Sequence, residues 1–160
     1  MTGKASPATG ESAIEHPSEG VVNQDILLNF LGYNCLQAYL TMAPAIKSRL
    51  AKFRLRPVDF TILSIVNANP DINQKRLAQT IKVSPPNLAT LLDRLEQDAL
   101  LTRQRNPKDK RSQILVLTAK GKTLCEKSEK AIAGVEDSPA LSQTERQELL
   151  RLLQKVFLVS

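Results

Sequence analysis

Ser84 is followed by two prolines and then by Leu88, Leu91, Leu92 and Leu95. Few patterns constrain a chain so tightly. Proline is welcome in the first turn of a helix, where its missing N–H has no partner to lose, and serine is a favoured residue just before it. The leucines recur at i, i+3, i+4 and i+7, one stripe on a 3.6-residue period. The pattern predicts a helix over 85–98, capped by Ser84 and ending near Asp98-Ala99. Its opposite face carries Pro86, Asn87, Thr90 and Arg94, with no acid through residue 92.

The neighbouring segments are short and equally marked. Asn73 is placed to cap a helix over 74–81 with Leu77, Ala78 and Ile81 inward, and Lys82-Val83 makes a tight turn. Leu100–Arg105 and Gln113–Leu117 read as strands joined by the polar turn Asn106–Arg111. Upstream, Pro57 opens a helix to Asn67 with Phe60, Leu63, Ile65 and Val66 as its apolar face, and Asn67–Asp71 is a turn by composition. Residues 22–52 form a long helical stretch with apolar Val22, Ile26, Leu27, Phe30, Leu31, Leu36 and Leu40, which Pro44 is expected to kink or divide. Downstream, Thr118 caps a helix of about 119–135, and Ser138-Pro139 breaks the pattern. The capping box Ser142–Glu145 opens a last helix with Leu149, Leu150, Leu152, Leu153, Val156 and Phe157. Residues 1–20 are small and polar, with one Ile, and read as a mobile tail in which His16 is exposed and inert.

The resulting expectation is a mainly α chain with a small β-hairpin wing. A mobile tail over 1–20 precedes an N-terminal helical region over 21–56. A winged helix-turn-helix follows at 57–118, and C-terminal helices occupy 119–160. A long apolar helix next to such a tail often packs against another chain.

Charge sharpens this reading. The 160 residues carry a net +6, but residues 72–125 hold 11 Lys/Arg against 4 Asp/Glu, while the remainder holds 11 against 12. A second run without acids comprises Lys47, Arg49, Lys52, Arg54 and Arg56. A basic excess confined to a helix-turn-helix and its hairpin is the electrostatic footprint expected for double-stranded DNA. A helix fills the major groove with its N-terminal half nearest the bases. There Asn pairs with adenine and Thr meets a thymine methyl. Ser84 and the first-turn N–H groups suit a phosphate. The hairpin tip, with Lys108, Lys110 and Arg111, reaches the backbone or a minor groove.

Two cysteines and one histidine leave no basis for a disulfide framework or a multi-His or Cys-rich metal site, and no cofactor is expected. No nucleophile elbow, Gly-rich phosphate loop or metal-ligand spacing appears, so the chain is not expected to be an enzyme. No run of apolar residues is long enough to span a bilayer, and no secretory start is present, so a cytoplasmic protein without membrane attachment is expected.

The run Leu55–Gly121 resembles the MarR-type (multiple antibiotic resistance regulator) winged-helix transcription factors. The matching pieces are Gln74–Ala78, Ser84–Glu96, Leu100–Arg103 and Asp109–Gly121, the last being an Asp-x-Arg tip, a strand and Leu-Thr-x-x-Gly. The resemblance implies that 85–98 is the recognition helix. It implies that Gln74, Lys75, Ser84, Pro86, Asn87, Thr90, Arg94, Lys108, Asp109, Lys110 and Arg111 face DNA. Arg94 would touch the backbone, and Arg111 would enter the minor groove with Asp109 orienting it. The helices at 22–52 and 141–158 would form the dimer. The resemblance further implies a repressor on a pseudo-palindromic operator, released by a small molecule. Leu55–Phe60, Asn69-Pro70 and Pro86–Leu88 look like a subgroup that answers to aromatic acids or their coenzyme A thioesters. Tyr39, Phe60 and Leu63 would then be apolar walls and Arg49 an anion partner. The chain departs from the family in having Pro85-Pro86 where Ser or Thr is more usual, and Ala99 where many relatives have Gly. An alternative within the same fold is a thiol-based redox sensor using Cys35, flanked by Tyr33 and Tyr39. Its helix, however, offers no nearby base to lower the thiol pKa.

Overall fold

A computed structural model describes residues 22–107, 112–133, 135 and 140–158. The tail with His16, the wing tip Lys108–Arg111 and the break at Ser138-Pro139 lie outside the described residues. The chain divides into two compact units after Leu36.

In the first unit, α1 (Asp25–Leu28) is a single turn, and α2 (Leu31–Ala51) begins after Asn29-Phe30. The long helix is therefore divided at Asn29-Phe30, and Pro44 lies inside α2 instead of dividing it. Side-chain amides explain the position of the break. Asn34 Nδ2 donates to the carbonyls of Leu28 (2.8 Å) and Phe30 (2.9 Å), and Asn29 Nδ2 to that of Asp25 (2.8 Å). The bonds to Asp25 O and Leu28 O serve carbonyls at the break, while Phe30 O also accepts the Asn34 N–H at 3.1 Å. A proline within a helix removes only one such bond, and α2 absorbs that loss.

The second unit holds the core. After Ala51 the chain reverses through Arg54, whose φ of 57° is left-handed, and the N–H of Leu55 returns to Leu50 O at 3.1 Å. Pro57 then takes the first position of α3 (Pro57–Ala68). The inward face of α3 is Asp59, Ile62, Leu63 and Val66. Phe60 and Ile65, expected inside, are only half-buried. The 3.6-residue period places 59, 62, 63 and 66 on one side, so a carboxylate shares the apolar face.

Asn73 caps α4 (Gln74–Ile81) by accepting the Arg76 N–H at 2.9 Å. Lys82, at φ 54°, closes it and starts the tight turn into α5 (Pro85–Gln97). Leu88, Leu92 and Leu95 of α5 are fully buried and Leu91 packs at the edge. Strands β1 (Leu101–Arg105) and β2 (Gln113–Leu117) pair antiparallel, from Leu101 opposite Leu117 to Arg105 opposite Gln113. Leu115 N–H donates to Ile72 O at 2.9 Å, fastening the hairpin to the segment before α4.

Thr118 caps α6 (Ala119–Ile132), accepting the Gly121 N–H at 3.0 Å. The capping box at Ser142 and Glu145 opens α7 (Gln143–Phe157). The core gathers Leu50, Ile62, Leu77, Leu92, Leu115 and Cys125 from successive elements. Cys125, on a helix that reads as charged, is wholly inside. By contrast α7 buries none of its residues.

Candidate nucleic-acid interface

Helix α5 sits on the core by its leucines and turns its other side to water. Ser84, Pro85, Pro86, Asn87 and Thr90 are exposed, while Arg94 is half-buried. Lys75 on α4 is exposed and Gln74 half-buried. Asp93, the first acid on this helix, forms an ion pair with Arg103 of β1 at 2.7 Å. The outward face thus offers polar and apolar groups with little negative charge to repel a polyanion.

Two expectations need correction. Ser84 occupies the capping position, but its side chain makes no capping hydrogen bond. Pro85 and Pro86 have no N–H to donate, which leaves only the Asn87 N–H for a capping bond, and the Ser84 side chain does not take it. For the same reason the first turn is a poorer phosphate cradle than its position suggests: only the N–H groups of Ser84 and Asn87 remain near the helix start. Thr90 is exposed, and its hydroxyl donates along the helix to Pro86 O at 3.3 Å.

Arg94 is placed differently from a free backbone contact. Its guanidinium forms an ion pair with Asp59, whose carboxylate is fully buried. Asp59 also accepts the Arg56 N–H at 2.8 Å and two bonds from the Arg56 guanidinium at 3.0 Å each. Burial pushes the Asp59 carboxyl up, but hydrogen bonds from Arg56 and Arg94 outweigh it and hold the carboxyl below the usual carboxylate range. The Arg94 Nε is buried without a hydrogen bond among the described residues. Asp59 was missed in the sequence. The signal was an acid three residues after an N-cap, on the same helical face as Ile62, Leu63 and Val66.

The hairpin is joined to α5 from two sides. Arg103 pairs with Glu96 and Asp93, and its own N–H donates to Glu96 Oε1 at 2.9 Å. On the other side, Thr118 Oγ1 donates to Ala99 O at 2.7 Å, and Lys120 Nζ to Asp98 O at 2.7 Å. Ala99 has φ 55°, the left-handed conformation that glycine adopts at least cost. Gly121 packs so closely that a Cβ there would lie 1.9 Å from Leu100 O. These contacts set the hairpin's direction relative to α5.

The residues expected to line an effector pocket are scattered in exposure. Tyr39 and Arg49 are exposed, Phe60 is half-buried, and Leu63 is fully buried in the core with no surface to offer. An open depression lies elsewhere, lined by Ala119, Lys120, Thr123, Leu124 and Lys127 of α6. Cys35 is half-buried, and the Tyr33 hydroxyl donates to Gln24. Burial pushes the Cys125 thiol up to about 11, with Glu129 and Glu126 adding to the shift. Among the described residues no group of three or more His, Cys, Asp or Glu is placed to hold a metal ion, and no helix is long and apolar enough to cross a membrane.

Two helices about a tight turn, the second with a solvent-facing side, and an antiparallel hairpin fastened to it define a winged helix-turn-helix. Residues 55–113 match the MarR family model. The chain is 32% identical over 105 residues to the HTH-type transcriptional regulator MgrA of Staphylococcus aureus, covering 66% of this chain and 71% of that protein. It superposes on the transcriptional repressor CouR bound to a 23-mer DNA duplex with a TM-score of 0.77 and 31% identity, covering 86% of this chain and 99% of CouR. A second CouR structure, bound to p-coumaroyl-CoA, gives 0.73 and 30%, with 85% and 97% covered. The chain belongs to the MarR family: it is a DNA-binding winged-helix transcriptional regulator, and not an enzyme.

Proposed function

We propose that this regulator is a repressor that binds a pseudo-palindromic operator as a homodimer and lets go when a small aromatic acid, or its coenzyme A thioester, binds. The observation that carries the reading is the solvent-facing side of α5, where Pro86, Asn87 and Thr90 stand clear of acid above a leucine-packed base. Lys75 of α4 extends it toward the phosphates. The wing residues Lys108, Asp109, Lys110 and Arg111 complete it by resemblance, with Arg111 entering the minor groove.

Support for a homodimer comes from apolar side chains left in water. On α2 these include Tyr39 and Leu40, and on α7 Leu149, Leu150, Leu152, Val156 and Phe157. Apolar surface on this scale marks an interface. A two-fold pairing of such helices presents two recognition helices to half-sites about one helical turn apart. The regions 21–56 and 119–160 then serve dimerisation, and 57–118 serves DNA.

The effector reading rests on similarity to CouR, which has been solved with p-coumaroyl-CoA. Tyr39 and Phe60 supply apolar walls and Arg49 the anion partner, while Leu63 backs the site from within the core. Such a ligand releases DNA only through a higher affinity for the conformation that does not fit the operator. A regulator of this kind acts in the cytoplasm, where its DNA is.

The test is binding to the chain's own promoter fragment and to random duplex across a salt series. Preference for the promoter, with affinity falling steeply as salt rises, is expected. Equal affinity for both duplexes sinks the operator reading. Hydroxybenzoates, hydroxycinnamates and their coenzyme A thioesters are then titrated into the complex. If none raises the melting temperature or releases DNA, the effector half fails.

A further inference from the structure

The two prolines at the start of α5 change what that helix is able to read. A recognition helix ordinarily has polar side chains and free N–H groups near its first turn. Here the two positions after Ser84 carry no N–H, and the exposed Pro86 presents a hydrocarbon ring. One turn later Thr90 is exposed too, yet its hydroxyl proton is committed to Pro86 O at 3.3 Å. What Thr90 has left for a partner is its methyl group and hydroxyl lone pairs. Between these two lies Asn87, exposed, with a complete amide.

We propose that Pro86 and Thr90 determine specificity by apolar contact with thymine 5-methyl groups, with Asn87 as the hydrogen-bonding reader between them. The inference rests on the reading of α5 as the operator-binding helix. The chemistry follows from the major groove. Thymine is the base that presents a methyl there, and threonine methyls and other apolar groups are its usual partners. Adenine presents N7 and N6, which match an asparagine amide. Each half-site core is therefore rich in A·T pairs, and part of its recognition depends on groups that make no hydrogen bonds. Pro86 lies at i and Thr90 at i+4, so they share one face of the helix and address neighbouring base pairs.

The experiment replaces single thymines of the mapped operator with uracil. This deletes the 5-methyl and leaves every hydrogen-bonding edge unchanged. Affinity is read by fluorescence anisotropy at fixed salt, for the full-length protein and for Thr90→Ser and Pro86→Ala. Thr90→Ser removes the methyl and keeps the hydroxyl. The expected result is a loss of about fourfold at two thymines per half-site, the Boltzmann factor for burying one such carbon. The penalty at one thymine should vanish in Thr90→Ser, and at the other in Pro86→Ala. An operator indifferent to uracil at every position overturns the proposal, as do penalties that persist unchanged in both variants. A protein that prefers no duplex at all fails earlier, at the operator reading itself, and is told apart by the random-duplex control.

Discussion

Asp59, fully buried near the start of α3, forms an ion pair with Arg94, which projects from α5. The same carboxylate holds Arg56 at the entrance to α3. One side chain therefore ties the α2–α3 junction to α5. Deleting its charge leaves two guanidinium groups facing a neutral amide. Asp59→Asn is expected to cost about 2–3 kcal/mol, toward the lower end for a broken buried pair because both arginines keep some solvent. Urea unfolding at pH 7 measures this.

The same pair carries a pH signature. The folded carboxyl lies below its ordinary value, so its contribution is present above the unfolded pKa and is lost as pH falls through the folded one. Wild-type stability should drop more steeply than that of Asp59→Asn below about pH 4, the range of an unperturbed carboxyl. Unfolding midpoints of the two proteins from pH 7 to pH 3 check it, and parallel curves would remove Asp59 from the acid response.

Ala99 holds a left-handed backbone angle between α5 and the first strand. Glycine adopts that angle without the Cβ clash, at the expense of a more disordered unfolded chain. Ala99→Gly should raise stability by about 0.5–1 kcal/mol, a melting-temperature increase of about 2 °C.

Gly121 has the opposite requirement. The space for a Cβ is already filled by Leu100 O, and that carbonyl accepts the Thr118 N–H at 3.1 Å. Gly121→Ala forces α6 away from the hairpin and should cost ~3 kcal/mol. Because Thr118 and Gly121 help hold the wing, operator affinity should fall as well. Denaturant titration and anisotropy on the same samples test both.

Cys125 is buried and its thiol is pushed up to about 11. The folded state therefore favours the thiol. This contribution is full below the ordinary value of 9.0 and is lost as pH rises toward 11. Iodoacetamide at pH 8 should leave the Cys125 peptide unmodified in native protein and modify it after unfolding, as read by mass spectrometry.

Much of this molecule was legible in local chemistry. Ser84-Pro85-Pro86 and the leucine stripe announce α5. Asn73, Thr118 and Ser142 announce the starts of α4, α6 and α7, because capping is decided within four residues. The two strands follow from β-forming residues about a polar turn. These signals work because each depends on neighbours along the chain, and the charge excess over 72–125 pointed to the same lobe.

What the tertiary structure decided is where distant groups meet. No local pattern says that Asp59 faces Arg94, that Arg103 reaches Glu96, or that Gly121 abuts Leu100. Each pairing depends on how α3, α5, the hairpin and α6 share one core. The division of the long first helix at Asn29-Phe30 also escaped a reading that looked to proline, because side-chain amides compete for carbonyls and proline only withholds one donor. The sequence by itself determined a winged helix-turn-helix with an acid-poor outward face on its second helix. Packing decided that Arg94 is held by a buried carboxylate, since an ion pair between remote residues exists only once the core has brought them together.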